Sequence, residues 1–129
     1  MSAQKLKIMV LDDEPIVCKR LQPALEKLGF EVDTFTQSLE ALHEIQETTY
    51  DIIITDLKMK GIDGMRFLQE AKKQHPATEV IVITGFATLD TAKESFQKGV
   101  FDFIAKPFKL SEIQEVVTKA ASKIRGAAA

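Results

Sequence analysis

The sequence predicts an α/β domain, a parallel sheet wrapped in helices, and two observations predict it. Short apolar runs, Lys5–Leu11, Tyr50–Thr55, Val80–Ile83 and Val100–Ala105, alternate with amphipathic segments. Continuous apolar runs of this length are the mark of strands covered by helices on both faces. Four runs also close on a polar residue: Asp12-Asp13, Asp56, Thr84 and Lys106. Open parallel sheets bind ligands outside the carboxyl ends of their strands, so this repetition predicts one site at one edge.

Lys5–Leu11 is the first strand. Pro15 suits the first turn of the following helix, where no amide partner is needed, and Val17, Leu21, Leu25 and Leu28 recur at helical spacing before Gly29 ends it. Pro23 is a misfit inside that helix and predicts a kink rather than two helices. Phe30–Phe35 alternates weakly, as an edge strand does. Thr36 or Ser38 is the expected cap of a second helix carrying Leu39, Leu42 and Ile45 on one face. Tyr50–Thr55 is the third strand. Gly61, Asp63 and Gly64 mark a loop, and a helix follows to about residue 73 with Met65, Leu68 and Ala71 inward, stopped at His75-Pro76. Val80–Ile83 is the fourth strand. Thr88–Lys98 is a helix with Ala92 and Phe96 inward, ended by Gly99, and Val100–Ala105 is the fifth strand. Ser111 is the expected cap of a last helix with Ile113, Val116, Val117, Ala120 and Ile124 along one side. Residues 1–125 thus form one domain, and 126–129 read as a tail or linker stub.

Composition narrows the function. Lys plus Arg number 17 against 19 Asp plus Glu, a net charge of −2 over 129 residues, so no basic excess points to nucleic acid or an anionic membrane as direct partner. Cys18 is the single cysteine, which excludes an internal disulfide and fits a reducing compartment. His43 and His75 have no ligand partner at metal-binding spacing. No run approaches the roughly 18 apolar residues of a membrane span, and a cytoplasmic protein is expected.

The strand-end residues carry chemistry. Asp12, Asp13 and Asp56 place three carboxylates in a small volume, where repulsion raises pKa values and a hard divalent cation relieves it. Oxygen-only ligation with few protein donors suits Mg²⁺. Lys106 directly follows an apolar strand, and the X-Pro bond to Pro107 is open to the cis form, which would hold the lysine backbone in one direction. Thr84 ends its strand before Gly85, where its hydroxyl can donate to an oxyanion.

Taken together, Asp12-Asp13, the run from Ile53 to Met59, Gly61-Ile62-Asp63-Gly64, Thr84-Gly85 and Lys106-Pro107-Phe108 resemble the CheY-like receiver domains of bacterial two-component response regulators. The likeness covers residues 5 to about 124. Ile83-Thr84-Gly85-Phe86-Ala87-Thr88 and Gly99-Val100-Phe101-Asp102-Phe103 look most like NtrC-type receivers. The resemblance implies a single doubly wound, five-stranded (βα)5 sheet with the flavodoxin-like strand order 2-1-3-4-5. It implies that Asp56 is the phosphoacceptor, attacking the phosphohistidine of a sensor histidine kinase or phosphotransfer protein. Asp13, Asp56 and the Lys58 backbone carbonyl would ligate Mg²⁺ or Mn²⁺, with Asp12 reaching it through water, while Lys106 and Thr84 hold phosphoryl oxygens. Thr84 and Phe103 would be the switch residues, altering the face of the fourth helix, fifth strand and fifth helix. That face would engage an output domain, a partner or a second copy, most plainly in transcription control. The chain would then be no enzyme beyond its own phosphorylation and dephosphorylation.

Within this likeness Lys60 stands where the family usually has proline, which predicts a more mobile loop. Lys58 and Phe86 stand two residues beyond Asp56 and Thr84, flanking the path of hydrolytic water, and bulky Phe86 is expected to slow loss of the phosphoryl. The competing reading is a Mg²⁺-dependent phosphatase of the haloacid-dehalogenase type, which needs an Asp-x-Asp pattern after the first strand. Here the pair is adjacent and a separate aspartate closes the third strand.

Overall fold

The computed structural model describes residues 5–128 and alternates strand and helix throughout. The elements are β1 (Lys7–Leu11), α1 (Pro15–Glu26), β2 (Glu31–Phe35), α2 (Ser38–Glu47), β3 (Ile52–Thr55), α3 (Gly64–Gln74), β4 (Glu79–Thr84), α4 (Leu89–Gln97), β5 (Asp102–Ala105) and α5 (Leu110–Ala128). All strand pairs are parallel, in the order β2-β1-β3-β4-β5. This is the five-stranded, doubly wound sheet expected from the sequence.

Successive strand residues face opposite sides, and the core divides accordingly. Ile8, Val10, Ile52, Ile54, Ile81, Ile83 and Ile104 pack with α1 and α5. Met9, Leu11, Ile53, Val80 and Val82 pack with α2 and α3. Each buried isoleucine contributes about 1.5–3 kcal/mol. A one-residue slip of β3 would exchange its two faces and drag Asp56 with them, so packing specifies the site's register.

Several predicted details differ. Pro23 lies inside one continuous α1, as expected, but Leu28 falls beyond its end and is exposed. Leu39 is 63 % exposed, so the inward face of α2 is Ala41 and Ile45, with Leu42 half-buried. Phe67, absent from the predicted inward set of α3, is fully buried. Phe96 is 51 % exposed and Ser95 is the buried residue of α4. The helix is rotated from its apolar periodicity because the Ser95 hydroxyl can donate to the Thr91 carbonyl, 2.8 Å away, and so satisfies itself against the sheet. Neither polar cap acts as expected. Gln37 occupies the N-cap of α2 without a side-chain bond, and Ser111 lies within the first turn of α5. Gly126 does not end α5, so the tail expected from residue 126 is helical to Ala128. Its last residue, Ala129, lies outside the described residues.

Candidate functional site

Backbone pairing runs one residue past β1, β3 and β5, to Asp12, Asp56 and Lys106, while Thr84 is the last residue of β4. Leu11 is in register with Thr55, and the Asp56 amide donates to the Leu11 carbonyl at 3.1 Å. The Asp12 amide donates to Phe35 O at 3.0 Å, and the Lys106 amide to Thr84 O at 2.8 Å. Asp12, Asp56, Thr84 and Lys106 therefore stand at the carboxyl edge through backbone pairing alone.

Carboxylate oxygens of Asp12, Asp13 and Asp56 lie within 4.8 Å of one another. Asp12 is fully buried and Asp56 nearly so, while Asp13 reaches solvent. Lys106 Nζ is 2.8 Å from Asp56 Oδ2, 2.8 Å from Glu14 Oε1 and 2.7 Å from Asp12 Oδ2. The first two contacts are hydrogen bonds as well as ion pairs. The third is an ion pair only, so Asp12 Oδ2 is a buried oxygen with no directed donor. Burial pushes the Asp12 carboxyl above the ordinary carboxylate range, against the lowering pull of Lys106 and of the Glu14 amide. Burial alone would depress the Lys106 ammonium, but the carboxylates of Asp12, Asp56 and Glu14 outweigh it and raise it. The Lys106–Pro107 peptide is cis.

Asp56 is oriented from below. Its Oδ1 accepts the amides of Leu57 at 2.6 Å and Lys58 at 3.2 Å, leaving Oδ2 to Lys106. Gly64, at the start of α3, packs directly on this segment, and a Cβ there would overlap the Asp56 carbonyl. Thr84 is buried, and its Oγ1 accepts the Phe86 amide at 3.0 Å. Phe86 is half-exposed, with the Lys58 ammonium 4.2 Å from its ring centroid, a cation–π contact across the mouth of the site. Phe103 is half-buried and packs against the α2–α3 side of the core.

A cleft of about 220 Å³ opens here, with Asp13, Glu14, Asp56, Lys58 and Phe86 among its walls. A larger recess of about 290 Å³, at the opposite sheet edge beside Tyr50, His75 and Ile124, holds none of the clustered carboxylates. Asp13 and Asp56 of the cluster, with Lys106, line the smaller cleft. His75 in the larger recess is half-buried and places Nε2 2.9 Å from the Ile45 carbonyl. Cys18 is buried, its thiol pushed up by burial and by the Asp12 charge, and is no candidate nucleophile.

Two residues escaped the sequence reading. Glu14 was visible only as the third acid of an acidic run, yet it reaches the lysine 92 positions away. Ser38 carries no sequence signal beyond capping, yet its Oγ donates to Lys60 O and accepts from Ile62 N, each at 2.9 Å. It tethers the loop whose missing proline predicted mobility.

Comparisons with known proteins identify the family. Residues 8–118 match the response regulator receiver domain. The transcriptional regulatory protein ZraR of Klebsiella oxytoca is 30 % identical over 97 % of this chain and 28 % of its own length. The DNA-binding transcriptional regulator NtrC of Escherichia coli K12 is 34 % identical over 89 % of this chain and 24 % of its own. The chain thus spans about a quarter of these relatives. Among solved structures, a receiver domain protein from Clostridium thermocellum is 34 % identical with a TM-score of 0.85, covering 93 % of this chain and 97 % of that one. The beryllofluoride-activated NtrC4 receiver domain dimer is 32 % identical with a TM-score of 0.86, covering 92 % and 98 %. The chain belongs to the response regulator receiver domain family of two-component systems and is NtrC-like within it.

Proposed function

We propose that this chain is a phosphorylation-activated switch, with Asp56 as phosphoacceptor. The observation that carries the reading is the juxtaposition of Asp12, Asp13 and Asp56 with Lys106 in one cleft. A carboxylate oxygen of Asp56 attacks the phosphorus of a phosphohistidine on a sensor kinase or phosphotransfer protein. The P–O bond forms as the P–N bond breaks, and the imidazole leaves with the electron pair and takes up a proton. Bonds from the Leu57 and Lys58 amides to Oδ1 hold the carboxylate in one orientation for this displacement. Lys106 exchanges a carboxylate oxygen for a phosphoryl oxygen.

Mg²⁺ fits the donors present. They are oxygen-only, clustered within 4.8 Å, and include the undirected Asp12 Oδ2. Asp13, Asp56 and the Lys58 carbonyl would hold the ion, with Asp12 reaching it through water, and Mn²⁺ suits the same set. When bound, the ion offsets charge on the transferring phosphoryl. Phe86, steadied by Lys58, shields the new bond from water and prolongs its life.

Phosphorylation adds about −1.5 to −2 charges and three acceptor oxygens. Thr84 then exchanges its bond from the Phe86 amide for donation to the phosphoryl, and Phe103 turns further inward. The altered α4–β5–α5 face engages an output domain, a partner or a second copy, in a cytoplasmic pathway of transcription control. The chain's chemistry is confined to its own phosphorylation and dephosphorylation.

Incubation with Mg²⁺ and acetyl phosphate tests the reading by intact mass. One added phosphoryl on the wild-type chain and none on Asp56→Asn is expected. A product that survives Asp56→Asn sinks the assignment.

A further inference from the structure

Ser38 opens α2 but does not cap it. The N-cap residue is Gln37, which makes no side-chain cap bond, and Ser38 is 2 % exposed with its hydroxyl bonded to a different segment. Its two bonds, from Oγ to Lys60 O and from Ile62 N to Oγ, straddle Gly61. Gly61 has φ +88°, and a Cβ there would approach Ser38 Oγ to 2.6 Å, so the turn is shaped around the hydroxyl. The segment so held joins β3 to α3. Its start is bound by the Asp56 carboxylate and its end by the Gly64 amide on Leu57 O. Between these ends, Ser38 supplies the side-chain anchor, from a helix that carries none of the acidic cluster.

We propose that Ser38 is a positioning residue for the cation site: by fixing 60–62, it sets where the Lys58 carbonyl stands relative to Asp13 and Asp56. Two hydrogen bonds from α2 substitute for the ring that proline would bring at position 60, occupied here by Lys60. The loop bears on both the carbonyl and the Asp56 carboxylate, because the Lys58 amide bonds Asp56 Oδ1 and the Lys58 carbonyl, which on the proposed reading would ligate the ion, belongs to the same residue. Loop order and cation affinity are therefore linked, and the linkage is reciprocal. The inference rests on the reading of the acidic cluster as a Mg²⁺ site.

The test is a double-mutant cycle on the chain, reading Mg²⁺ affinity by calorimetry and amide exchange at Ile62 by NMR. Ser38→Ala is expected to weaken Mg²⁺ binding about three- to tenfold, the effect of one or two hydrogen bonds, and to speed exchange at Ile62. Lys60→Pro alone should leave affinity within about twofold, yet restore most of the loss in the double variant, since a stiffened loop no longer needs the tether. Ser38→Ala that lowers the melting temperature with Mg²⁺ affinity unchanged would make Ser38 merely structural and overturn the proposal. Additive effects with no rescue by Lys60→Pro overturn it too. A wild-type chain that binds no Mg²⁺ overturns instead the reading on which it rests.

Discussion

At the scale of the residue, Lys106 is held by three carboxylates at once. Asp12 and Asp56 are buried beside it, but the third partner, Glu14, is 59 % exposed and belongs to the wall facing an incoming donor. Its charge repels an anionic phosphodonor and competes for the ammonium. Glu14→Gln should therefore accelerate labelling by acetyl phosphate. A part-exposed ion pair is worth about 0.2–1 kcal/mol, so the gain is roughly up to fivefold, shrinking as salt screens the charge. A time course of intact mass at low and high ionic strength checks this, and equal rates for both chains would make Glu14 a bystander. Asp12, Asp13, Asp56, Thr84 and Lys106 were legible in the sequence because the backbone delivers them, each at the end of an apolar run. Glu14 and Ser38 were not, because side-chain reach across 92 and 22 positions leaves no periodic trace.

At the scale of the element, α4 is the weakly attached helix. Ser95 is its buried residue, whereas α3 buries Phe67, Leu68 and Ala71. Its order rests on its start: Thr88 accepts the Thr91 amide at 3.0 Å, and the Thr91 hydroxyl bonds the Phe86 carbonyl at 2.9 Å, two residues from Thr84. Hydrogen bonds thus connect Thr84 to the helix cap through Phe86. Segments with few buried apolar contacts open at low free energy. Amide exchange in α4 should be faster than in α3, and Thr88→Ala, costing about 1 kcal/mol of capping, should speed it roughly fivefold while leaving α3 unchanged. Exchange mapped by mass spectrometry decides, and equal protection of α3 and α4 would contradict the argument. The sequence misled about this helix in an instructive way. Ala92 and Phe96 recur at helical spacing, but a nine-residue helix with one buried side chain gains too little from apolar burial to fix its rotation. A hydroxyl that bonds its own backbone could take the inner position instead.

At the scale of the whole molecule, fold class was legible because five alternations of buried run and amphipathic segment admit few arrangements, and crossovers between parallel strands have one hand. What the outer surface is for was less legible. Leu89 is 84 % exposed and Phe96 51 %, seven residues apart and so on one side of α4. With half-exposed Phe86 they place apolar surface next to the proposed switch. If Thr84 and Phe103 move on phosphorylation, this surface moves with them, and a second copy is one partner that could cover it. Sedimentation should then show a monomer–dimer equilibrium shifting toward dimer with beryllofluoride or acetyl phosphate. Leu89→Glu places charge where burial would be required, and should weaken the activated dimer at least tenfold, about 1.4 kcal/mol, with the extent of phosphorylation of Asp56 unchanged. The last condition separates an interface effect from a damaged site. A dimer of undiminished strength in Leu89→Glu would move the self-association elsewhere and leave the apolar stripe of α4 to an output domain or partner.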